Sequence, residues 1–351
     1  VDGRRYGGWT AVRVTRGLER MAADFELTVT EAWPGRSEPW AIRPGSACRL
    51  LVDGEPLIEG WTDDYAPSFS AGDHRVGIGG RSRTGDLVDC SVIQPGGQFK
   101  DYDLAQIARA LCAPFGVPVR IDEGVDIGAP FPDVQVQQGE TVFELLDRLA
   151  SLRGVLLTDG PDGALVVTVA GRRRASGALV QGVNVLEASA TLAHRERYSR
   201  YVVKGQRAGS DEVFGRDAAQ VSGEAADPAV TRYRPLLLMA EGQVDPATAR
   251  IRARWEALAR AARSIEAHVT VQGWRQPDGR LWQPGELVPV RSAWLGLDRD
   301  LLVTEATWLL DGSGTRSELS LVPAEALTPE PGGGAARGAK DDQWVNAGMI
   351  K

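Results

Sequence analysis

The chain has 351 residues, 43% hydrophobic and 25% charged, as is ordinary for a globular protein, and this length predicts two to four domains. Forty basic and 47 acidic side chains give a net charge of −7, which argues against a general nucleic-acid binder. Cys48, Cys90 and Cys112 lack a Cys-x-x-Cys spacing, so we predict buried thiols and neither a disulfide framework nor a zinc site. No apolar run approaches the roughly 18 residues of a membrane span, and the N-terminus lacks a signal-peptide core.

The first 92 residues carry the pattern of a small antiparallel β-barrel. Residues 10–14 and 25–30 alternate apolar and polar side chains, which is the period of a strand with one buried face. Asp53-Gly54 is a two-residue hairpin signal, and residues 74–80 read as a further strand. Because no nucleophile, ligand cluster or phosphate loop interrupts these strands, we predict an architectural domain.

Residues 93–178 are predicted to form an α+β domain with two helices. Apolar side chains from Leu104 to Leu111 recur at helical spacing, with Asp103 or Asp101 as the N-cap. The second helix opens at Thr141 and ends at Gly154. A hairpin over residues 155–169 completes this domain.

The remaining chain predicts a second β-barrel, over residues 179–207 and 264–327, interrupted by an insertion at 208–263. Asp245-Pro246 begins an arginine-rich helix that runs to about residue 264. We expect one apolar face on this helix, formed by Ile251, Trp255, Leu258 and Ala262. A Pro-Gly turn followed by a strand occurs in both barrels, which suggests that they are repeats. Residues 328–351 read as a flexible tether with a terminal docking peptide.

Residue types that carry chemistry are sparse and badly spaced. His74, His194 and His268 do not form a metal-binding spacing, and adjacent Asp63 and Asp64 would point to opposite faces of a strand. The glycine-rich residues 77–86 lack the Gly-Lys-Ser/Thr that cradles a triphosphate. We therefore predict no enzyme activity and no catalytic, cofactor-binding or metal-ligating residues.

Four blocks, in this order, closely resemble the Mu-like phage tail protein family known as gpP, which forms the baseplate hub of contractile tails. The blocks are residues 9–31 (W-T-A-V-R-V-T-R-G-L-E-R-M-A-A-D-F-E-L-T-V-T-E), 40–45 (W-A-I-R-P-G), 52–70 (V-D-G-E-P-L-I-E-G-W-T-D-D-Y-A-P-S-F-S) and 79–91 (G-G-R-S-R-T-G-D-L-V-D-C-S). The resemblance is dense over residues 8–91 and weaker beyond them.

This resemblance implies a mostly β fold with two tube-protein-like antiparallel β-barrels, the α+β domain between them and the helical insertion. It also implies a homotrimer whose six barrels adapt the sixfold tail tube to a threefold central spike. The implied partners are the spike, the tail tube, other baseplate proteins and the tape-measure protein, with DNA only in transit through the bore. We expect assembly in the host bacterial cytoplasm, a final location in the virion tail baseplate, and no membrane insertion.

Aromatic and charged side chains in the resembling blocks are candidates for contacts between subunits, although sequence does not separate interface tryptophans from core tryptophans. The candidates are Trp9, Trp61, Arg83, Asp86, Trp308 and Trp344. We expect Gly85→Trp, in what reads as an R-T-G-D turn, to impair assembly. Two alternatives remain open: a peptidoglycan- or glycan-binding tail module, suggested by the helix after Gly139, and a cell-wall-degrading hub component, which would need paired carboxylates in a cleft.

Overall fold

The fold was analysed in a computed structural model that describes residues 1, 3–30, 42–71, 74–206, 221–243 and 245–330. The first five strands form one end of a large antiparallel sheet, in the spatial order β1-β2-β5-β4-β3. They are β1 (Ala11–Gly17), β2 (Asp24–Thr30), β3 (Ala47–Val52), β4 (Glu55–Phe69) and β5 (His74–Ser82). Asp53 and Gly54 both have positive φ, as the two-residue β3–β4 turn requires, which confirms the predicted hairpin.

A separate hydrophobic core belongs to the α+β segment that follows. Its elements are α1 (Gly85–Asp89), β6 (Gln98–Tyr102), α2 (Leu104–Cys112), β7 (Val119–Ile121), β8 (Phe131–Gln135), α3 (Val142–Arg153), β9 (Leu156–Asp159) and β10 (Leu165–Thr168). Asp103 and Thr141 each cap a helix through a reciprocal capping box, and Gly154 ends α3 in the left-handed conformation. The predicted helices, caps and β9–β10 hairpin are therefore confirmed.

The C-terminal part contributes ten more strands and one long helix to the described chain. They are β11 (Arg173–Arg174), β12 (Leu179–Val180), β13 (Val185–Leu192), β14 (Arg200–Gln206), β15 (Val221–Ala226), β16 (Pro235–Gln243), α4 (Pro246–Arg263), β17 (Ile265–Gln272), β18 (Glu286–Ser292), β19 (Leu297–Asp311) and β20 (Gly314–Val322). Of these, β13, β17, β20, β19 and β18 continue the large sheet, and the two-residue strands β11 and β12 join it by pairing in parallel with β18.

Strand β14 pairs with β15 and β16 in a small sheet of its own, and not with the second barrel in which the sequence pattern placed it. Helix α4 covers this sheet with alanines, among them Ala249 and Ala253, while Ile251 and Leu258 are 54% and 63% exposed. The expected apolar face is therefore wrong for these two residues. Alanine faces the sheet because the helix backbone approaches closely: a Cβ added at Gly223 would lie 2.2 Å from the Ala249 carbonyl carbon.

The two halves of the large sheet repeat the same topology. The order β13-β17-β20-β19-β18 in the second half matches β1-β2-β5-β4-β3 in the first. The long strands β4 and β19 have 15 residues each, and each has a bulge at the same point of its pairing. Gly45 and Gly285 both follow a proline and both have positive φ. The backbone N–H of each donates to a carbonyl of the long strand in its half, that of Thr62 for Gly45 and that of Val303 for Gly285. The suggested repeat is therefore confirmed at the level of strand order.

One antiparallel joint fuses the halves, because β1 pairs with β19 from Val12–Leu310 to Gly17–Glu305. Trp308 is fully buried in a core that draws side chains from both halves, such as Val14 and Leu319. The described strands of the two halves thus form one open sheet, and neither half is a closed barrel: the mostly β class is right, but the two expected barrels are halves that share a sheet and a core. In the described ranges, no helix has the length and apolarity to cross a membrane.

Candidate subunit interface

The structure divides the predicted tryptophans between core and surface. Trp308 is completely buried in the core that the two halves share, so of the two roles considered for it, core or interface, its position favours the core. Trp9 is half-buried at the edge of this core. Trp61 is half-buried on β4, opposite Ala47 and Arg81. Trp344 lies outside the described residues, as does the tether after residue 330.

Arg83 and Asp86 lie where the first sheet meets the α+β segment. Arg83 pairs with Glu59 of β4 at 2.6 Å, and Asp86 is half-buried in the first turn of α1. In the R-T-G-D segment, Arg83 and Thr84 lie in a turn, as predicted, and Gly85 and Asp86 are the first two residues of α1. Gly85 is buried with Arg81 beside it, so Gly85→Trp would disturb the fold itself and does not isolate assembly.

Apart from the outer edges of β3 and of the two-residue strands β11 and β12, two strand edges in the large sheet have no partner among the described residues. One is the outer edge of β13, whose only neighbour is β17. The other is the distal part of β4 from Asp64 to Phe69, because β3 covers β4 only as far as Trp61. Unpaired backbone N–H and C=O groups along such edges are templates for pairing with another chain.

Large apolar side chains are exposed on or beside these edges. Phe69 at the end of β4 is 86% exposed, Leu192 at the end of β13 is 55% exposed, and Trp294 in the β18–β19 turn is 86% exposed. The sequence reasoning missed all three as contact candidates. The sequence did contain a sign of this role for Phe69. It is an aromatic residue at the end of a strand, where its ring is exposed to water unless another chain covers it.

A buried ion pair fastens the α+β segment to the large sheet. The Arg16 guanidinium donates to the Asp159 carbonyl at 2.7 Å and to the Gln283 side chain at 3.1 Å, and its Nε lies 3.6 Å from the Asp159 carboxylate. Burial raises the pKa of Asp159, and the Arg16 charge opposes that rise. Thr158 adds a hydrogen bond to the Gly17 carbonyl beside it. These groups are enclosed, so they are positioned to hold the two parts of the chain together and not to meet a substrate.

The described residues contain no group of three or more His, Cys, Asp or Glu side chains that is arranged to hold a metal ion. The unpaired edges of β13 and β4, with the exposed apolar side chains beside them, are suited to association with another chain.

Comparison with known proteins identifies the family. Residues 1–82 match the N-terminal domain of Mu phage baseplate assembly protein GpP-like proteins, residues 84–169 the second domain of baseplate hub protein gp44-like proteins, and residues 245–330 the fourth domain of the Mu phage GpP protein. The chain is also 36% identical, over 334 residues, to the baseplate hub protein gp44 of Escherichia phage Mu. The match covers 93% of this chain and 87% of that relative. The chain belongs to the Mu phage baseplate hub (GpP/gp44) family.

One solved structure of a tail protein supports the same conclusion, and a second shares the fold. The 43 kDa tail protein of prophage MuSo2 from Shewanella oneidensis is 35% identical, with 94% and 98% of the two chains covered and a TM-score of 0.81. A tail protein from Neisseria meningitidis has the same fold at 23% identity, with 93% and 96% covered and a TM-score of 0.74. The resemblance seen in the sequence is confirmed, and the chain is a baseplate hub protein of a contractile phage tail. This finding favours the structural reading over the glycan-binding and cell-wall-degrading alternatives.

Proposed function

We propose that three copies of this hub protein form a ring that adapts the sixfold tail tube to a threefold central spike. The observation that carries the proposal is the internal repeat: the order β1-β2-β5-β4-β3 recurs as β13-β17-β20-β19-β18. Three chains with two such units each present six similar units under threefold symmetry. A trimer of chains with one unit each would present only three units, which match the threefold spike but not the sixfold tube.

Within this ring the two repeated halves act as the tube-like units, at residues 1–92 and at 179–207 with 264–327, except that β14 pairs with β15 and β16 and is therefore assigned to the insertion. The α+β domain at 93–178 and the insertion at 208–263 lie outside the repeat, and residues 328–351 are the tether with its docking peptide. One end of the ring contacts the tail tube and other baseplate proteins, and the other end holds the spike. The bore passes DNA or the tape-measure protein. The role is structural, without catalysis.

Of the candidate contact residues, we retain Trp9, Trp61, Arg83, Asp86 and Trp344. We retain them because of where they lie in the chain. The first four belong to the half that contains the unpaired edge of β4, and Trp344 belongs to the proposed docking peptide. In place of the buried Trp308, we add the exposed residues Phe69, Leu192 and Trp294 as candidate contacts between subunits.

The native mass of the purified chain tests the ring. Light scattering at several concentrations should give a mass near three times 37.7 kDa, and the trimer should then capture the purified spike protein encoded with it. A chain that stays monomeric at all concentrations and does not trimerise when the spike is added would overturn the proposal.

A further inference from the structure

The side of helix α4 that faces away from the small sheet carries an apolar stripe. Its members, Ile251, Trp255 and Leu258, are four and three residues apart, a spacing that places them on one face of a helix. Ile251 and Leu258 are exposed, and Trp255 is half-buried. Exposed apolar side chains that form a row on one element indicate a contact surface, whereas single ones are ordinary.

The chain itself runs beside this stripe before the described part ends. Residues 326–330 pass α4 in the direction opposite to that of the helix. Trp255 donates its indole N–H to the Thr328 carbonyl at 3.0 Å, and two residues further along the chain Glu330 forms an ion pair with Arg252. The segment that follows therefore starts beside the N-terminal end of the stripe.

A positive charge lies within the stripe and is not neutralised by a described neighbour. Arg254 is exposed between Ile251 and Leu258, and it has no ion-pair partner among the residues that the structure describes. By contrast, Arg252 on the adjacent face lies 3.5 Å from the Glu256 carboxylate. A segment that fits the stripe should therefore combine apolar side chains with carboxylates.

Residues 341–350 of the same chain, D-D-Q-W-V-N-A-G-M-I, have this composition. Two aspartates begin the segment. Four large apolar side chains follow them: Trp344, Val345, Met349 and Ile350.

The ten residues 331–340 that connect Glu330 to this segment are long enough to return it to α4. They include four glycines, and a glycine-rich linker of this length has a root-mean-square span of about 16–19 Å. The stripe from Ile251 to Leu258 is about 10 Å long, at 1.5 Å per helical residue. A short flexible connection also gives the tethered segment an effective concentration in about the millimolar range, so it occupies the stripe ahead of a dilute partner.

We propose that residues 341–350 dock on the outer stripe of α4 in their own chain. Their apolar side chains cover Ile251 and Leu258, and their carboxylates lie near Arg254. The contact is made within one chain, so it goes beyond the proposed ring and does not depend on it. Trp344 is consequently covered in the free hub protein.

A photo-reactive side chain on the stripe tests this contact in the full-length protein. With p-benzoylphenylalanine in place of Leu258, irradiation should link the stripe to the tryptic peptide of residues 341–351, which follows Lys340. The matched control carries the same probe in place of Leu237. This residue is exposed to a similar extent, 57% against 63%, on the face of the small sheet that points away from α4. Mass spectrometry of the digest should find about tenfold less of the linked peptide in the control.

Two further variants show whether the apolar side chains hold the segment. In the chain with the probe at position 258, Trp344→Ala should lower the yield of the linked peptide by about fivefold or more, because it removes the largest apolar side chain of the segment. The neighbouring change Gln343→Ala is the control and should keep the yield within about twofold. Both changes lie outside the described cores, so the fold does not depend on them.

The size of the linked product identifies the occupant. A link within one chain keeps the mass of a single chain on a denaturing gel, whereas a product of twice that mass would place the segment on a second copy and overturn the inference. A yield at position 258 no greater than that at position 237 would also overturn it. If light scattering shows a trimer in either case, the proposed ring stands.

Discussion

The three cysteines lie in different environments, and this decides their reactivity. Cys48 is enclosed in the large core, and burial raises the pKa of its thiol to about 11. Cys112 is enclosed at the end of α2, where burial raises its pKa to about 12. Cys90 follows α1 and is exposed, so the prediction of three buried thiols is wrong for this residue.

Because the thiolate is the reactive form, we expect one thiol to react with Ellman's reagent at pH 8 in the native chain and three in denaturant. The Cys90→Ser variant should show none in the native state. Rapid modification of two or more native thiols would contradict the placement of Cys48 and Cys112.

Arg16→Met should destabilise the chain by about 3–5 kcal/mol at pH 8, because it leaves the buried Asp159 carboxylate without its cation. Burial raises the folded-state pKa of Asp159, so the protonated form is favoured in the fold. The stability that this group contributes is present at low pH and lost as the pH rises through the folded pKa. The loss should therefore be smaller at pH 4 than at pH 8.

Urea denaturation of both proteins at the two pH values measures this difference. Arg20→Met is a matched control, since Arg20 forms exposed ion pairs with Asp24 and Glu305, and its replacement should cost about 1 kcal/mol or less. An equal loss for Arg16→Met at both pH values would show that the carboxylate is not the source of the effect.

At the scale of elements, the short distance between the backbones of α4 and β15 limits which side chains fit between them. The helix lies so close to β15 that alanine faces the sheet and glycine is required at position 223. Larger apolar residues such as Ile251 and Leu258 are consequently placed on the outer face.

Gly223→Ala should lower the free energy of unfolding by about 1–3 kcal/mol, because the added methyl overlaps the backbone at Ala249 and Arg250. Gly312→Ala is the control: no atom lies within 4 Å of its added Cβ, and its effect should stay within about 0.5 kcal/mol. Urea denaturation followed by circular dichroism compares the two. Equal, small effects would mean that α4 is not held at this distance.

At the scale of the whole molecule, the shared core makes the two halves of the large sheet one cooperative unit. Val14 and Phe25 from the first half pack in the same core as Trp308 and Leu319 from the second. The α+β segment has its own core and is joined to the sheet through Arg16 and Asp159.

Trp308→Ala should therefore cost about 3–5 kcal/mol and weaken both halves, although the change lies in the second. Native-state hydrogen exchange should show faster exchange in β2 and β5 as well as in β19 and β20, with α3 little affected. Faster exchange confined to β19 and β20 would contradict a shared core.

Much of the local structure could be predicted because local structure depends on residues close in sequence. Alternation identified β1 and β2, Asp53-Gly54 marked a hairpin, and Thr141 and Asp103 began helices through side chains three residues away. The blocks within residues 9–91, taken in their order, were enough to indicate the family, since a comparison of residues along the chain needs no geometry.

Only the tertiary structure decided how these elements meet. The β1–β19 joint links residues almost 300 positions apart, and alternation says that a strand has a buried face but not which strand covers its edge. The outward placement of Ile251 and the burial of Trp308 depend on how near other backbones come, which no spacing within a helix or strand records. Sequence thus determined the elements and the family, whereas the partners of each strand edge were set by packing across the whole chain.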